Sequence, residues 1–313
     1  MFYRIASSRS RRRAFQCVAV MTILLSAATY TWARESLPEH KPEHKQKHES
    51  GSEAKLRLEV HGEWQQGALL KGHVTPGSTV RFLDKSVRVT PAGEFIVGVG
   101  RDASPGAAVS VTFPDGTTHD YAFEVAQRDY RIQRIEGVAA KHVNPPKAVL
   151  ERIRAEAATV WQARQTLGDN LDFLQSFMWP VTGPITGVYG SQRIYNGEPR
   201  SPHYGVDIAA PEGTAVQAPA AGIVTLAHPD MYYSGGTLIL DHGYGLSSTF
   251  IHLHKIHVAV GQRVEQGELI AEVGATGRAT GAHLDWRLNW FDQRLDPQLL
   301  MAAQGEKEPR LSP

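Results

Sequence analysis

Four apolar runs in the second half of the chain constrain its fold more than any other feature. Val216 to Val224, Thr237 to Leu240, Ser248 to Ile251 and Glu268 to Gly274 are bounded by glycine, and none repeats at the three-to-four spacing of an amphipathic helix. They predict a mostly antiparallel, glycine-rich sheet with one open face. Into the same stretch fall His203-Tyr204-Gly205-Val206-Asp207, His252-Leu253-His254 and His283-Leu284-Asp285. Zinc accepts imidazole nitrogen and carboxylate oxygen, and a catalytic site uses three protein ligands and leaves the fourth position to water. The stretch supplies both donor types.

A chain of 313 residues is too long for one small domain and suits about two compact units. Residues 55–127 read as a small β-sandwich, an accessory domain. Leu56, Leu58 and Val60 alternate with polar residues, Thr79 to Leu83 and Val87 to Val89 follow, and Pro76-Gly77, Pro91-Ala92-Gly93, Pro105-Gly106 and Pro114-Asp115-Gly116 mark turns. No cluster of catalytic residue types appears there. Residues 128–176 read as a helical connector: after Asn144-Pro145-Pro146, apolar positions at Val149, Ile153, Ala157, Val160 and Trp161, closing at Arg164, recur at helical spacing. Residues 177–300 carry the glycine-bounded runs, and 301–313 form a C-terminal tail.

The first 33 residues read as a secretory signal. Arg4, Arg9 and Arg11 to Arg13 precede an apolar run from Ala14 to Ala28, and Thr31-Trp32-Ala33 offers a cleavage site. Residues 34–54, with Pro-Glu-His-Lys twice in succession, read as a flexible polar linker. Cleavage leaves no stable membrane span and points to the periplasm; an uncleaved signal would act as a membrane anchor. Cleavage would also remove Cys17, the one cysteine, and with it disulfides and thiolate metal sites. A formal net charge of +1 argues against a nucleic-acid partner.

The order and spacing of His203-x-Gly205-x-Asp207, Pro211-x-Gly213-Thr214, His242-Gly243, Phe250-x-His252-Leu253, Gly261-x-x-Val264-x-x-Gly267, Val273-Gly274-x-Thr276-Gly277 and Gly281-x-His283-Leu284-Asp285 resemble the lysostaphin-like zinc metallopeptidases from about Trp179 to Pro297. The resemblance implies an antiparallel sheet with a groove for peptidoglycan peptides and one zinc ion per chain. By position it implies His203, Asp207 and Asp285 as ligands and His252 and His283 as catalytic residues. Asn196 and Arg193 follow as candidates for contact with substrate, the arginine for a peptide carboxylate. His252-x-His254 also matches the family's His-x-His string, which leaves His254 open as a neighbour on the same face.

Asp285 departs from the family, which carries histidine there. Two carboxylates and one imidazole neutralise the charge of a divalent ion, so the sequence predicts a working but retuned centre, one that also tolerates manganese. On the same ground, replacing Asp285 with histidine should leave metal bound. The enzyme implied is an endopeptidase acting on peptidoglycan cross-links. The alternative is a weak or inactive member that binds cell wall, or activates a partner hydrolase or synthesis enzyme.

Overall fold

The computed structural model describes residues 58–135 and 147–307. The predicted signal, the polar linker and the end of the tail lie outside the described residues. Among the described residues no helix is long and apolar enough to cross a membrane.

Seven strands come first: β1 (Leu58–His61), β2 (Leu69–Val74), β3 (Thr79–Phe82), β4 (Lys85–Val87), β5 (Glu94–Gly98), β6 (Gly106–Thr112) and β7 (Thr118–Glu124). They form two antiparallel sheets, ordered β1-β2-β5 and β4-β3-β6-β7. Alternation sets their faces: in β3, Val80 and Phe82 are buried while Thr79 and Arg81 are exposed. β8 (Ile132–Ile135) leads to helix α1 (Leu150–Arg164), reached through a short 3-10 turn at Lys147–Val149.

The second half adds β9 (Ile185–Gly187), β10 (Gln192–Tyr195), β11 (Glu198–Pro199), β12 (Val206–Ala209), β13 (Ala215–Gln217), β14 (Gly222–Met231), β15 (Gly235–Asp241), β16 (Leu246–Leu253), β17 (Lys255–Ile256), β18 (Arg263–Val264), β19 (Leu269–Glu272), β20 (His283–Trp290) and β21 (Gln293–Leu295), and ends in helix α2 (Pro297–Ala303). The large sheet runs β18-β14-β15-β16-β20-β12-β9, with β21 beside β20. The run from Val216 to Val224 is not one strand. Pro219 has no N–H for a ladder, and the chain leaves β13, which pairs with β19, to enter β14 of the large sheet. Asp296 caps α2 by accepting from Gln298 N.

One hydrophobic core runs through both halves, from Leu70 and Phe95 to Phe250, Trp286, Trp290 and Met301. On the opposite face of the large sheet, Leu226, Met231 and Ile239 receive Val160 and Ala163 of α1. The face expected to be open is therefore covered in part by the helix. Trp161, expected on the apolar stripe, is 60% exposed.

His242 is wholly buried, with Nδ1 2.7 Å from Ala221 O and Nε2 2.9 Å from Ser248 Oγ. Burial pulls its pKa from 6.5 down to about 4. The folded imidazole stays neutral where the unfolded one takes a proton, so this contribution is present above pH 6.5 and lost as pH falls toward 4. The loss amounts to about 3 kcal/mol. Urea midpoints across that range are expected to fall less steeply in His242→Gln than in the parent.

Candidate metal centre

The centre is built on two neighbouring strands. β12 and β20 pair antiparallel with Asp207 directly opposite Asp285 and Ala209 opposite His283. Like charges facing each other across a ladder destabilise it, so two carboxylates in register call for a cation. His203, just ahead of β12, brings its Nε2 to 3.0 Å from Asp207 Oδ1 and 3.4 Å from Asp285 Oδ2. One donor atom from each of the three residues lies within 4.8 Å of the others.

Two of these atoms, His203 Nε2 and Asp207 Oδ1, are buried and make no hydrogen bond. They approach each other off the direction a hydrogen bond needs, and so point to a shared position. Glycines make the room. A Cβ on Gly205 would lie 2.4 Å from Asp285 Oδ1, and one on Gly187 would lie 2.0 Å from Asp207 Oδ2. The donor set, the orphaned atoms and the cleared space fit a divalent ion that accepts nitrogen and oxygen.

The three histidines are oriented alike. His203 Nδ1 lies 3.1 Å from Val188 O, His252 Nδ1 2.8 Å from Thr276 O, and His283 Nδ1 2.8 Å from Gly281 O. A carbonyl only accepts, so each Nδ1 donates, and in the neutral ring the lone pair is left on Nε2. The His252 and His283 rings are 4.9 Å apart, and His283 Nε2 is 3.8 Å from Asp207 Oδ1. Burial lowers the pKa of His252, which keeps the ring neutral. Burial also works against charge on His203, but Asp207 and Asp285 outweigh it and push that pKa up to about 10. A proton and a metal ion therefore compete for its Nε2.

His254 does not join them. His252 takes a left-handed backbone, φ 66°, which breaks the alternation that would have put the two side chains on one face. His254 Nδ1 instead meets Glu212 Oε1 at 2.8 Å. Arg193 and Asn196 lie exposed on the β10–β11 hairpin, where Asn196 and Gly197 have the positive φ of a tight Asn-Gly turn.

Sequence reasoning missed Arg287. It stands two residues beyond Asp285 on β20, on the same face, and period-two alternation carried one step past the motif would have placed it there. Its Nε donates to Asp285 Oδ1 at 2.9 Å and its Nη2 to Oδ2 at 2.6 Å. Burial opposes ionisation of Asp285, but Arg287 and then His203 hold its carboxyl well below the usual range. Asp207, Asp285 and Arg287 together carry one net negative charge. A set of one carboxylate and two neutral imidazoles carries the same. The expected neutralisation of the ion by two carboxylates is thus offset by a cation that the ligand motif does not include.

A solved structure of a candidate M23 peptidase from Pseudomonas aeruginosa is similar to this chain at 30% identity and a TM-score of 0.62, over 77% of this chain and 96% of the other. The chain belongs to peptidase family M23. The family description, Peptidase family M23, matches residues 201–297, which hold all five residues of the centre. This M23 chain is 40% identical over 147 residues to the peptidoglycan DD-endopeptidase ShyA of Vibrio cholerae, covering 45% of this chain and 34% of ShyA. It is 38% identical over 95 residues to the DD-carboxypeptidase/endopeptidase Mpg of Neisseria meningitidis, covering 30% of this chain and 22% of Mpg. The chain thus spans about a third or less of the length of these curated relatives.

Proposed function

We propose that this M23 chain is an exported, zinc-dependent endopeptidase that hydrolyses peptide cross-links of peptidoglycan in the periplasm. The observation that carries the reading is the convergence of His203 Nε2, Asp207 Oδ1 and Asp285 Oδ2, with two of the three atoms lacking any other partner. The names of the relatives support the substrate class. His203, Asp207 and Asp285 would hold the ion, zinc in preference to manganese. When bound, it supplies a Lewis acid that polarises a carbonyl and acidifies water. His252, kept neutral and fixed by Thr276 O, presents Nε2 as a proton acceptor. His283, fixed by Gly281 O, stands beside it and, once its Nε2 has taken up a proton, can pass that proton to the leaving amine or steady developing negative charge.

His252→Ala is therefore expected to keep metal near one ion per chain, while turnover falls by about 10²–10⁴-fold. Loss of metal in this variant would move His252 into the ligand set. The reading itself is tested by digesting purified sacculi with the chain from Arg34 onward, with zinc and with a chelator, and weighing the fragments by mass spectrometry. Cross-linked dimers falling to monomers only with metal is the expected result.

The second reading, an inactive member that binds wall or activates a hydrolase, has one observation in its favour: Arg287 already engages both oxygens of Asp285. Metal content separates the two, because a centre closed by Arg287 purifies without metal and gains none on dialysis against zinc.

A further inference from the structure

Beside the metal centre, α1 and the large sheet line a half-open cavity of about 380 Å³. Arg164 from α1 and Arg287 and Arg294 from the sheet side line it together, with Val160, Trp161 and Ile251 among its apolar walls. Two carboxylates also line it, and both are engaged elsewhere. Glu156 bonds Arg152 and the Tyr232 N–H, and Asp292 pairs with Lys85. Arg287 is held by Asp285.

That leaves Arg164 and Arg294 without an ion-paired carboxylate among the described residues, Asp292 acting on Arg294 only from a distance. Arg164 donates from Nη2 to Thr249 Oγ1 at 3.1 Å, while its Nε is buried with no hydrogen-bond partner. Arg294 reaches only Asn289 Oδ1, at 3.4 Å, and lies over the Tyr204 ring. Burial and then the neighbouring Arg294 and Arg287 pull the Arg164 pKa well below its ordinary value. A buried guanidinium with an unmet N–H costs stability, and a bound anion would remove that cost.

We propose that this cavity is a subsite for a carboxylate of the peptide substrate, held between Arg164 and Arg294. The inference rests on the peptidase reading for its choice of ligand. Guanidinium forks match planar carboxylates, and the apolar walls suit the alkyl part of a peptide. Position supports it: Arg287 lines the cavity and also bonds Asp285, whose Oδ2 faces His203 Nε2, so a carboxylate here lies one side chain from the metal ligands. Such a site recognises a residue close to the bond to be cut. It also gives α1 a purpose: the helix is a wall of the groove, supplying Arg164. Arg193, the arginine first suspected of this role, sits on an exposed hairpin instead.

The test is calorimetric binding of peptides released from sacculi to chelator-treated protein, comparing free acids with the same peptides amidated by carbodiimide and ammonia. Free acids are expected to bind about tenfold or more tightly than amides. Arg164→Gln and Arg294→Gln should bring the acids down to the level of the amides. Synthetic peptides amidated only at the C-terminus or only on a side chain then identify which carboxylate is held. Equal affinity for acid and amide, including no binding of either, overturns the subsite, and that comparison needs no variant to fold. An acid preference untouched by both substitutions overturns it as well. Because binding is read without metal, the two inferences fail separately. Discrimination without cleavage of sacculi sinks the peptidase and leaves the subsite; cleavage without discrimination does the reverse.

Discussion

Asp285→His is expected to lower metal affinity by about 10–100-fold, the scale on which groups bonded to a ligand act, although it installs the residue that the resemblance implies at this position. The reason is Arg287. In the natural chain its guanidinium closes on both oxygens of Asp285, and the pair replaces a neutral imidazole with no net change in charge. With histidine at 285 the carboxylate is gone and the guanidinium remains, only 26% exposed and facing a divalent ion across one side chain. Its repulsion is felt at an effective dielectric well below that of water. The double variant Asp285→His, Arg287→Met removes both members of the pair and is expected to recover most of the loss. Isothermal titration with zinc measures all four proteins of the cycle, and coupling between neighbours is what such a cycle isolates. Equal affinity in the single and double variants would mean that Arg287 is too well solvated to matter, and the simple expectation that histidine is tolerated at 285 would stand.

The chemistry of the centre is legible in the sequence because it is local. His283 and Asp285 sit two apart on one strand, where period-two geometry puts both on one side, and His203 lies only four residues ahead of Asp207, in the loop that enters β12. What is missing from the sequence is whatever depends on register or on a break in alternation. Nothing in the letters sets Asp207 opposite Asp285, since that follows from how β12 meets β20. Nothing signals the positive φ of His252, which turns His254 away to Glu212. The arginines show both cases. Arg287 follows the motif at the same period, whereas Arg164 and Arg294 come to the cavity from elements more than a hundred residues apart. In the same way, turn signals and alternation mark the first seven strands but carry no information on what their core packs against.

That packing leads to the second large effect: a chain beginning at Arg128, without β1 to β7, is expected not to fold cooperatively. The accessory domain read from the sequence shares one core with the half that carries His203, Asp207 and Asp285. Phe82 of β3 lies 6.0 Å from Trp290 at the end of β20, and β5 packs on both β20 and β21. Trp290 and Leu295 are essentially inaccessible in the intact chain, and exposing each forfeits about 2 kcal/mol. Together with the other members of the shared core, that is a large part of the roughly 5–15 kcal/mol that holds a domain folded. The consequence reaches the metal. Trp290 and Asp285 are on one strand, so fraying β20 at its covered end loosens the register that sets Asp207 against Asp285. Far-UV and near-UV circular dichroism with urea, on the truncated and the intact chain, decides the matter. A truncated chain that unfolds cooperatively within about 1 kcal/mol of the parent would make the first half a docked module whose removal the centre survives. A chain that keeps secondary structure but loses near-UV signal and metal would mean that the first seven strands are part of the scaffold that holds His203, Asp207 and Asp285 together.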